Sequence, residues 1–176
     1  DGDENHLVFG VKRDVTTEHE GEVSTILHDE ISEGDMINLS APVGGFSIEN
    51  TERPQLFIGS GVGMTPLVSM FKKAASLNVP TQMIQAVVTE DERPFAQKLD
   101  SITDNYEQAQ LHLHVKDKEG YLEAKALEQY LSEQPEIYIC GGTKFLHSII
   151  NSLKELNYDM NHVHFETFIP RLSVQV

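Results

Sequence analysis

The sequence predicts an α/β nucleotide-binding domain, a five-stranded parallel sheet with helices on its faces, preceded by a partial antiparallel β-barrel. Three observations predict it. Past Pro54, short β-rich runs alternate with helical patterns, as they do when parallel strands are joined by crossover helices. The first such run meets the first such helix through a glycine-rich turn, Gly59-Ser60-Gly61-Val62-Gly63-Met64-Thr65-Pro66. The first fifty residues hold too few elements for an independent domain, which points to a barrel or sheet whose earlier strands are absent from this chain. The parts are expected at residues 1–52 and 53–176, with the boundary in the polar stretch Asn50 to Pro54.

Taken in order, His6-Leu7-Val8-Phe9-Gly10-Val11-Lys12 and Met36-Ile37-Asn38-Leu39 have strand composition, with one short helix between them near Ser24 to Asp29. Gln55-Leu56-Phe57-Ile58 is nearly continuous in apolar residues, as a strand buried on both faces is. The helix from Pro66 sets Leu67, Met70, Phe71 and Ala74 on one stripe. The second strand, Gln82 to Val88, precedes a helix from about Pro94. The third, Leu111 to Val115, leads to a helix around Leu122 to Leu131. The fourth, Glu136 to Cys140, runs into Gly141-Gly142. Thr143 is then expected to cap a helix that buries Phe145, Leu146, Ile149, Ile150, Leu153 and Leu156. Val163 to Phe168 is the fifth strand.

The totals exclude several functions. A chain of 176 residues, 39% hydrophobic, fits one domain or one domain and part of a second. A formal charge of −15 argues against nucleic-acid backbones and anionic membrane surfaces, so an anionic ligand must be held by local donors. No apolar run approaches the roughly 20 residues a membrane-spanning helix needs. The start, Asp1 to His6, has neither the positive charge nor the apolar core of a signal peptide, and without an initiator Met the chain reads as a fragment. A single cysteine, Cys140, rules out an intramolecular disulfide and points to a reducing compartment, the cytoplasm.

Three segments carry candidate chemistry. The glycine turn lies where a strand passes to a helix, at the C-terminal edge of a parallel sheet, where open α/β folds bind ligands. Gly61 and Gly63 clear room for a phosphate, Thr65 is placed to cap the helix, and Pro66 suits a first turn that needs no N–H. With Val62 and Met64 they present free N–H donors and a partial positive charge to a pyrophosphate. The same glycines also fit a tight structural turn, and Pro66 stands where G-x-G-x-x-G would end in glycine, unlike a simple dehydrogenase. Cys140-Gly141-Gly142 ends the fourth strand on the same edge. A flat ring can approach there, though a small buried residue before a turn fits as well. Gly21-Glu22-Val23-Ser24 opens the short N-terminal helix, as a second anion site or as a plain capped helix. Two histidine pairs, His112 with His114 and His162 with His164, share strand faces but lack a third ligand, so no metal site is expected.

Together these segments resemble the ferredoxin–NADP reductase superfamily and, within it, the reductase portion of flavohaemoglobins. The resemblance spans the chain. It rests on Gly21-Glu22-Val23-Ser24 followed by Leu27-His28, Gly34-Asp35, Ala41-Pro42-Val43-Gly44-Gly45-Phe46, the glycine turn, Cys140-Gly141-Gly142, and the closing Glu166-Thr167-Phe168-Ile169-Pro170, in that order. It implies that Gly21 to Ser24 hold the pyrophosphate of FAD and Gly61 to Pro66 that of NAD(P)H. Cys140 and Gly141 would lie by the nicotinamide where hydride passes, and Glu166 would tune the flavin. Thr167 to Pro170 would pack on the isoalloxazine. Electrons would continue to a haem in an N-terminal globin domain, supporting nitric oxide dioxygenation to nitrate. A reductase serving an iron–sulfur protein or an oxygenase is the rival activity, and an inactive nucleotide-binding fragment the rival from another class.

Three departures follow. The family's Arg-x-Tyr-Ser strand, which grips the flavin, is missing, so FAD is expected to bind weakly or not at all. The globin is missing too. Gly142 stands in place of a common proline, and Ile169 in place of a common glycine. For the cofactor's tail, Thr89-Glu90-Asp91-Glu92 after the second strand favours a ribose 2′-hydroxyl, hence NADH, with nearby Arg93 leaving NADPH open.

Overall fold

The structure is a computed structural model that describes residues 2–3, 6–14, 21–41 and 43–167. The chain divides into two compact units, one from Gly2 to Gly45 and one from Phe46 onward. The expected boundary at 52/53 thus lies inside the second unit. Phe46 meets Tyr138 edge-on, and the Glu49 N–H donates to the Tyr138 hydroxyl at 3.1 Å, which ties this stretch to the sheet that follows.

In the first unit β1 (Gly2–Asp3) pairs antiparallel with β2 (His6–Leu7), and α1 (Glu22–Asp29) follows. The barrel is not there among the described residues. The expected strand over His6 to Lys12 is confined to His6–Leu7, and Met36 to Leu39 forms no strand. A strand needs a neighbouring strand for its N–H and C=O groups, and beyond the short β1–β2 pair the described residues offer these segments none. α1 buries no residue, and Leu7, Phe9, Val23, Met36 and Val43 are all more than half exposed.

The second unit is the predicted parallel sheet. Its elements are β3 (Gln55–Ser60), α2 (Met64–Ser76), β4 (Thr81–Val87), α3 (Ala96–Asn105), β5 (Ala109–Val115), α4 (Lys116–Glu119), α5 (Ala124–Leu127), β6 (Glu136–Gly141), α6 (Thr143–Glu155) and β7 (Val163–Thr167). Strand order is β5-β4-β3-β6-β7, every neighbour parallel. Pro54, Pro80 and Pro135 each stand immediately before a strand, where a missing N–H costs no ladder bond. Asn78 and Asn157, at φ 59° and 55°, end α2 and α6 in the left-handed region that closes a helix. The expected helix over Leu122 to Leu131 is shorter: α5 covers one turn, and Glu128–Tyr130 continues as a 3-10 turn.

Strand alternation divides the core into two faces. Leu56, Ile58, Ile84, Ile137 and Ile139 pack against Leu127, Leu146, Ile149 and Leu153 of α5 and α6. Phe57, Met83, Tyr138 and Cys140 pack against Leu67, Phe71 and Ala74 of α2 and Leu99 and Ile102 of α3. The stripe expected on α2 is buried in full, and on α6 Leu146, Ile149 and Leu153 are buried, with Phe145, Ile150 and Leu156 partly so. Among the described residues, no helix is long and apolar enough to cross a membrane.

Candidate functional site

The chain runs β3, β4, β5 towards one edge of the sheet, then returns to place β6 on the other side of β3. This reversal opens a crevice at the C-terminal ends of β3 and β6, where open α/β sheets bind their ligands. The two motifs singled out from sequence meet there. Gly59 is paired with Cys140 in the β3–β6 ladder. The turn after β3 is a 3-10 turn, Gly61–Gly63, that runs straight into α2.

The glycines of this turn do different work. Gly61 has φ +56° and open space where a side chain would be, so its need is conformational, and its face is free for a ligand. Gly63 has φ −60° and ψ −14°, ordinary helical angles. A Cβ on Gly63 would lie 2.5 Å from the Gly141 nitrogen and closer still to the Cys140 carbonyl. Gly63 therefore lets the helix start touch the backbone of the second motif.

The two threonines expected to cap helices do not. Thr65 is the second residue of α2, and its hydroxyl donates to the Val62 carbonyl at 2.8 Å instead of accepting from an N–H. Thr143 is the first residue of α6, with Gly142 at the capping position and no side-chain cap bond. At the α2 start the Met64 N–H is taken by the Gly61 and Val62 carbonyls and Pro66 has none, whereas the first-turn N–H groups of α6 lack an intrahelical carbonyl. This suits a diphosphate: a concave turn, free donors, and the positive end of α2.

Cys140 is fully buried on the α2/α3 face, and burial, with the Glu166 charge beside it, raises its thiol to about 12, against a weaker lowering by the Gly141 N–H. At neutral pH it is a thiol and a packing residue. The native protein is expected to leave Cys140 unmodified by a thiol reagent at pH 8 and to react with one equivalent once unfolded. Rapid labelling of the native state would contradict its placement. Glu166 is exposed on β7 and paired in register with Cys140, and Thr167 with Gly141, so both stand at the crevice edge. Phe168, Ile169 and Pro170 lie outside the described residues, as does Pro42.

In the first unit, Gly21 is the capping residue of α1, with Glu22, Val23 and Ser24 in its first turn. The Ser24 hydroxyl donates to the Gly21 carbonyl at 3.0 Å and accepts from the Asp14 N–H at 3.1 Å, so it holds a loop closed. Asp14 and Glu22 place two carboxyl side chains at this helix start. An anion there would face charge of its own sign.

Two features were missed in sequence. A cavity of about 540 Å³ opens at the C-terminal ends of β3, β4 and β5 on the α5/α6 face, lined among others by Ser60, Lys116, Tyr121 and Lys144. Its lysines are scattered in sequence, and only the strand order gathers them. The acidic stretch Glu90–Glu92 forms a 3-10 turn, with Glu90 tied to Lys118 at 2.8 Å. Arg93 donates to Asp100 at 3.0 Å and to Gln85 at 3.3 Å, and shares a separate shallow pocket with Leu111 and Leu113. The second feature is a buried ionic cluster at the opposite, N-terminal edge. Glu136, 3% exposed, accepts from His162 Nδ1 at 2.7 Å and His164 Nε2 at 2.9 Å, and Arg53 donates to His162 Nε2 at 2.6 Å. No group of three or more His, Cys, Asp or Glu able to hold a metal occurs among the described residues.

A parallel sheet with a glycine turn at its switch point is the architecture of a dinucleotide-binding α/β domain. Residues 57–150 match the oxidoreductase NAD-binding domain family, and the chain belongs to that family. It is 30% identical over 172 residues to a flavohemoprotein of Bacillus cereus, covering 89% of this chain and 43% of that one. With flavohemoprotein B of Dictyostelium discoideum it shares 29% identity over 169 residues, 88% of this chain and 40% of that one. Among solved structures, the flavohem-like FAD/NAD-binding domain of nitric oxide dioxygenase from Vibrio cholerae superposes with a TM-score of 0.81 at 27% identity, covering 91% of this chain and 70% of that one. The chain spans less than half the length of these two full-length relatives.

Proposed function

We propose that this chain is the reductase portion of a flavohaemoglobin-type protein, using NAD(P)H to reduce FAD, whose electrons serve a haem globin domain that converts nitric oxide and oxygen to nitrate. The observation that carries the reading is the crevice where Gly61–Pro66 and Cys140–Gly142 meet backbone to backbone. The flavohemoprotein relatives support it. In such a protein NAD(P)H would supply two electrons as hydride, and FAD would pass them on one at a time and release the proton.

The residues of this chain bind and orient. The Gly61 to Pro66 turn holds the pyrophosphate against its open Gly61 face and the positive end of α2. The flat, glycine-lined end of β6 at Gly141–Gly142 receives the nicotinamide, and Cys140 backs that surface from inside the core. Glu166 and Thr167 border the same edge, where the flavin ring would lie. The whole is placed in the cytoplasm, with its one cysteine reduced and buried.

FAD is held weakly by this chain alone. Asp14 and Glu22 oppose a pyrophosphate at α1, and no side chain of α1 is buried. That observation also favours a second reading, in which the isolated chain is a nucleotide-binding fragment without turnover. Ferricyanide reduction by NADH and by NADPH, with and without added FAD, tests both. The proposed function expects little activity without FAD, partial activity at saturating FAD, and full activity in a longer protein carrying the globin. Flavin retained stoichiometrically by this chain would refute weak binding. No activity from the longer protein would refute the reductase reading.

A further inference from the structure

We propose that His162 is a proton-operated latch: it holds Arg53 when neutral and, on protonation at Nε2, releases Arg53 and turns to Asp159. The device sits in the Glu136 cluster at the N-terminal edge of the sheet, opposite the crevice, and does not depend on the cofactor reading.

Arg53 stands in the segment that leads from Phe46 into β3, and its guanidinium pins that segment to the strands beside it. Its Nε donates to the Gln134 carbonyl at 2.7 Å, a second nitrogen donates to the same carbonyl, and the third donates to His162 Nε2 at 2.6 Å. The next residue, Pro54, accepts the Glu136 N–H at 2.8 Å. A guanidinium has donors only, so His162 Nε2 must be the acceptor. The ring proton therefore sits on Nδ1, where it is donated to Glu136 Oε1 at 2.7 Å.

A further proton on this ring can go only to Nε2. There it removes the acceptor that Arg53 uses and sets an imidazolium N–H against a guanidinium N–H, like charges face to face. Glu136 keeps its bond, because Nδ1 is a donor in both states. Arg53 is the partner that must yield. A new acceptor is at hand, since Asp159 Oδ2 lies 3.9 Å from Nε2. The His162 side chain is 28% exposed, so water can deliver the proton.

The other ionisable groups around the ring do not cancel this effect. Burial would raise the Glu136 pKa, yet the two histidine hydrogen bonds bring it below 4.5, so it stays ionised while imidazoles titrate. Tyr158, raised to about 12 by burial, stays neutral beside Arg53. His164 donates to Glu136 through Nε2 and turns Nδ1 toward Glu49 at 3.9 Å. Its protonation would draw in Glu49, but that carboxylate is 62% exposed and the pair counts for little.

Nuclear magnetic resonance of the chain from about pH 7.5 to about pH 5.5 tests the latch. The ring-nitrogen shifts of His162 should show the Nδ1–H form at the upper end and proton uptake at Nε2 toward the lower. With the same midpoint, protection of the Glu136 N–H against hydrogen exchange should fall about tenfold, while amides of the β3–β4 ladder keep theirs. In Arg53→Gln that protection should be low throughout, and in His162→Gln it should not depend on pH. A His162 ring that takes up no proton in this range overturns the latch. So does a Glu136 amide that stays protected while the ring titrates, or a fall that persists in His162→Gln. Should His162→Gln not fold, the two midpoints in the natural chain decide: separate midpoints overturn the latch.

Discussion

Gly63→Ala is expected to destabilise the second unit by about 3 kcal/mol and to abolish dinucleotide binding. The cause is overpacking against backbone. The new methyl would enter the space of the Cys140 carbonyl and lie 2.5 Å from the Gly141 nitrogen. Flexible side chains can yield to such a clash, but these atoms belong to β6, held on both sides by β3 and β7. Relief requires the start of α2 to move off the strand, and that separates the two halves of the proposed site. The neighbouring glycines provide the comparison. Gly61→Ala meets no atoms but must keep φ +56°, so it should cost roughly 1 kcal/mol. Gly142→Ala has open space and an ordinary extended backbone, and should lie within about 0.5 kcal/mol of the natural chain. Urea unfolding of the three variants would order them. A Gly63→Ala protein as stable as Gly142→Ala would show that the two motifs do not touch.

The parallel sheet was legible because its strands advertise themselves. Leu56, Phe57 and Ile58 form an apolar run that a helix face would not need, and the α2 and α6 stripes follow helical spacing. The glycine turn was legible as a place, though not in its division of labour. Sequence shows Gly61 and Gly63 alike, while one serves an unusual φ and the other a contact with residues nearly eighty positions away. Thr65 and Thr143 misled because capping chemistry depends on which residue starts the helix, and boundaries one or two residues off turn a cap into a first-turn hydroxyl. The N-terminal strands were overread for another reason. Apolar composition at His6 to Lys12 and Met36 to Leu39 fits a strand, but pairing is decided by a neighbour that local sequence cannot name. Lys116, Tyr121 and Lys144 were invisible as a set, since strand order alone brings the end of β5 near the start of α6.

The cluster on Glu136 shows the same limit and carries the second large effect. Nothing in sequence links Arg53, Glu136, His162 and His164, yet the β6–β7 register sets Tyr138 beside His164 and Ile137 beside Val163. That brings both imidazoles onto one carboxylate. Burial alone would raise the Glu136 pKa, but hydrogen bonds from His164 and His162 bring it below the ordinary value of 4.5. His162 accepts from Arg53 at Nε2, so its proton sits on Nδ1 and is donated to Glu136. His164 stacks on Tyr138 at 4.8 Å and turns its other nitrogen toward Glu49 at 3.9 Å. Removing the central acceptor strands two partly buried imidazole donors, and Glu136→Ala should cost about 2 kcal/mol. The pH dependence has a definite sign. A carboxylate with a lowered folded pKa stabilises the fold above its unfolded value and loses that contribution as pH falls through the folded one. The stability difference between the natural chain and Glu136→Gln should therefore be full near neutrality and shrink below about pH 4.5. Urea unfolding of both proteins from pH 7 to pH 3.5 measures it. A difference that stays constant across that range would mean that Glu136 stabilises by shape, with its charge contributing nothing.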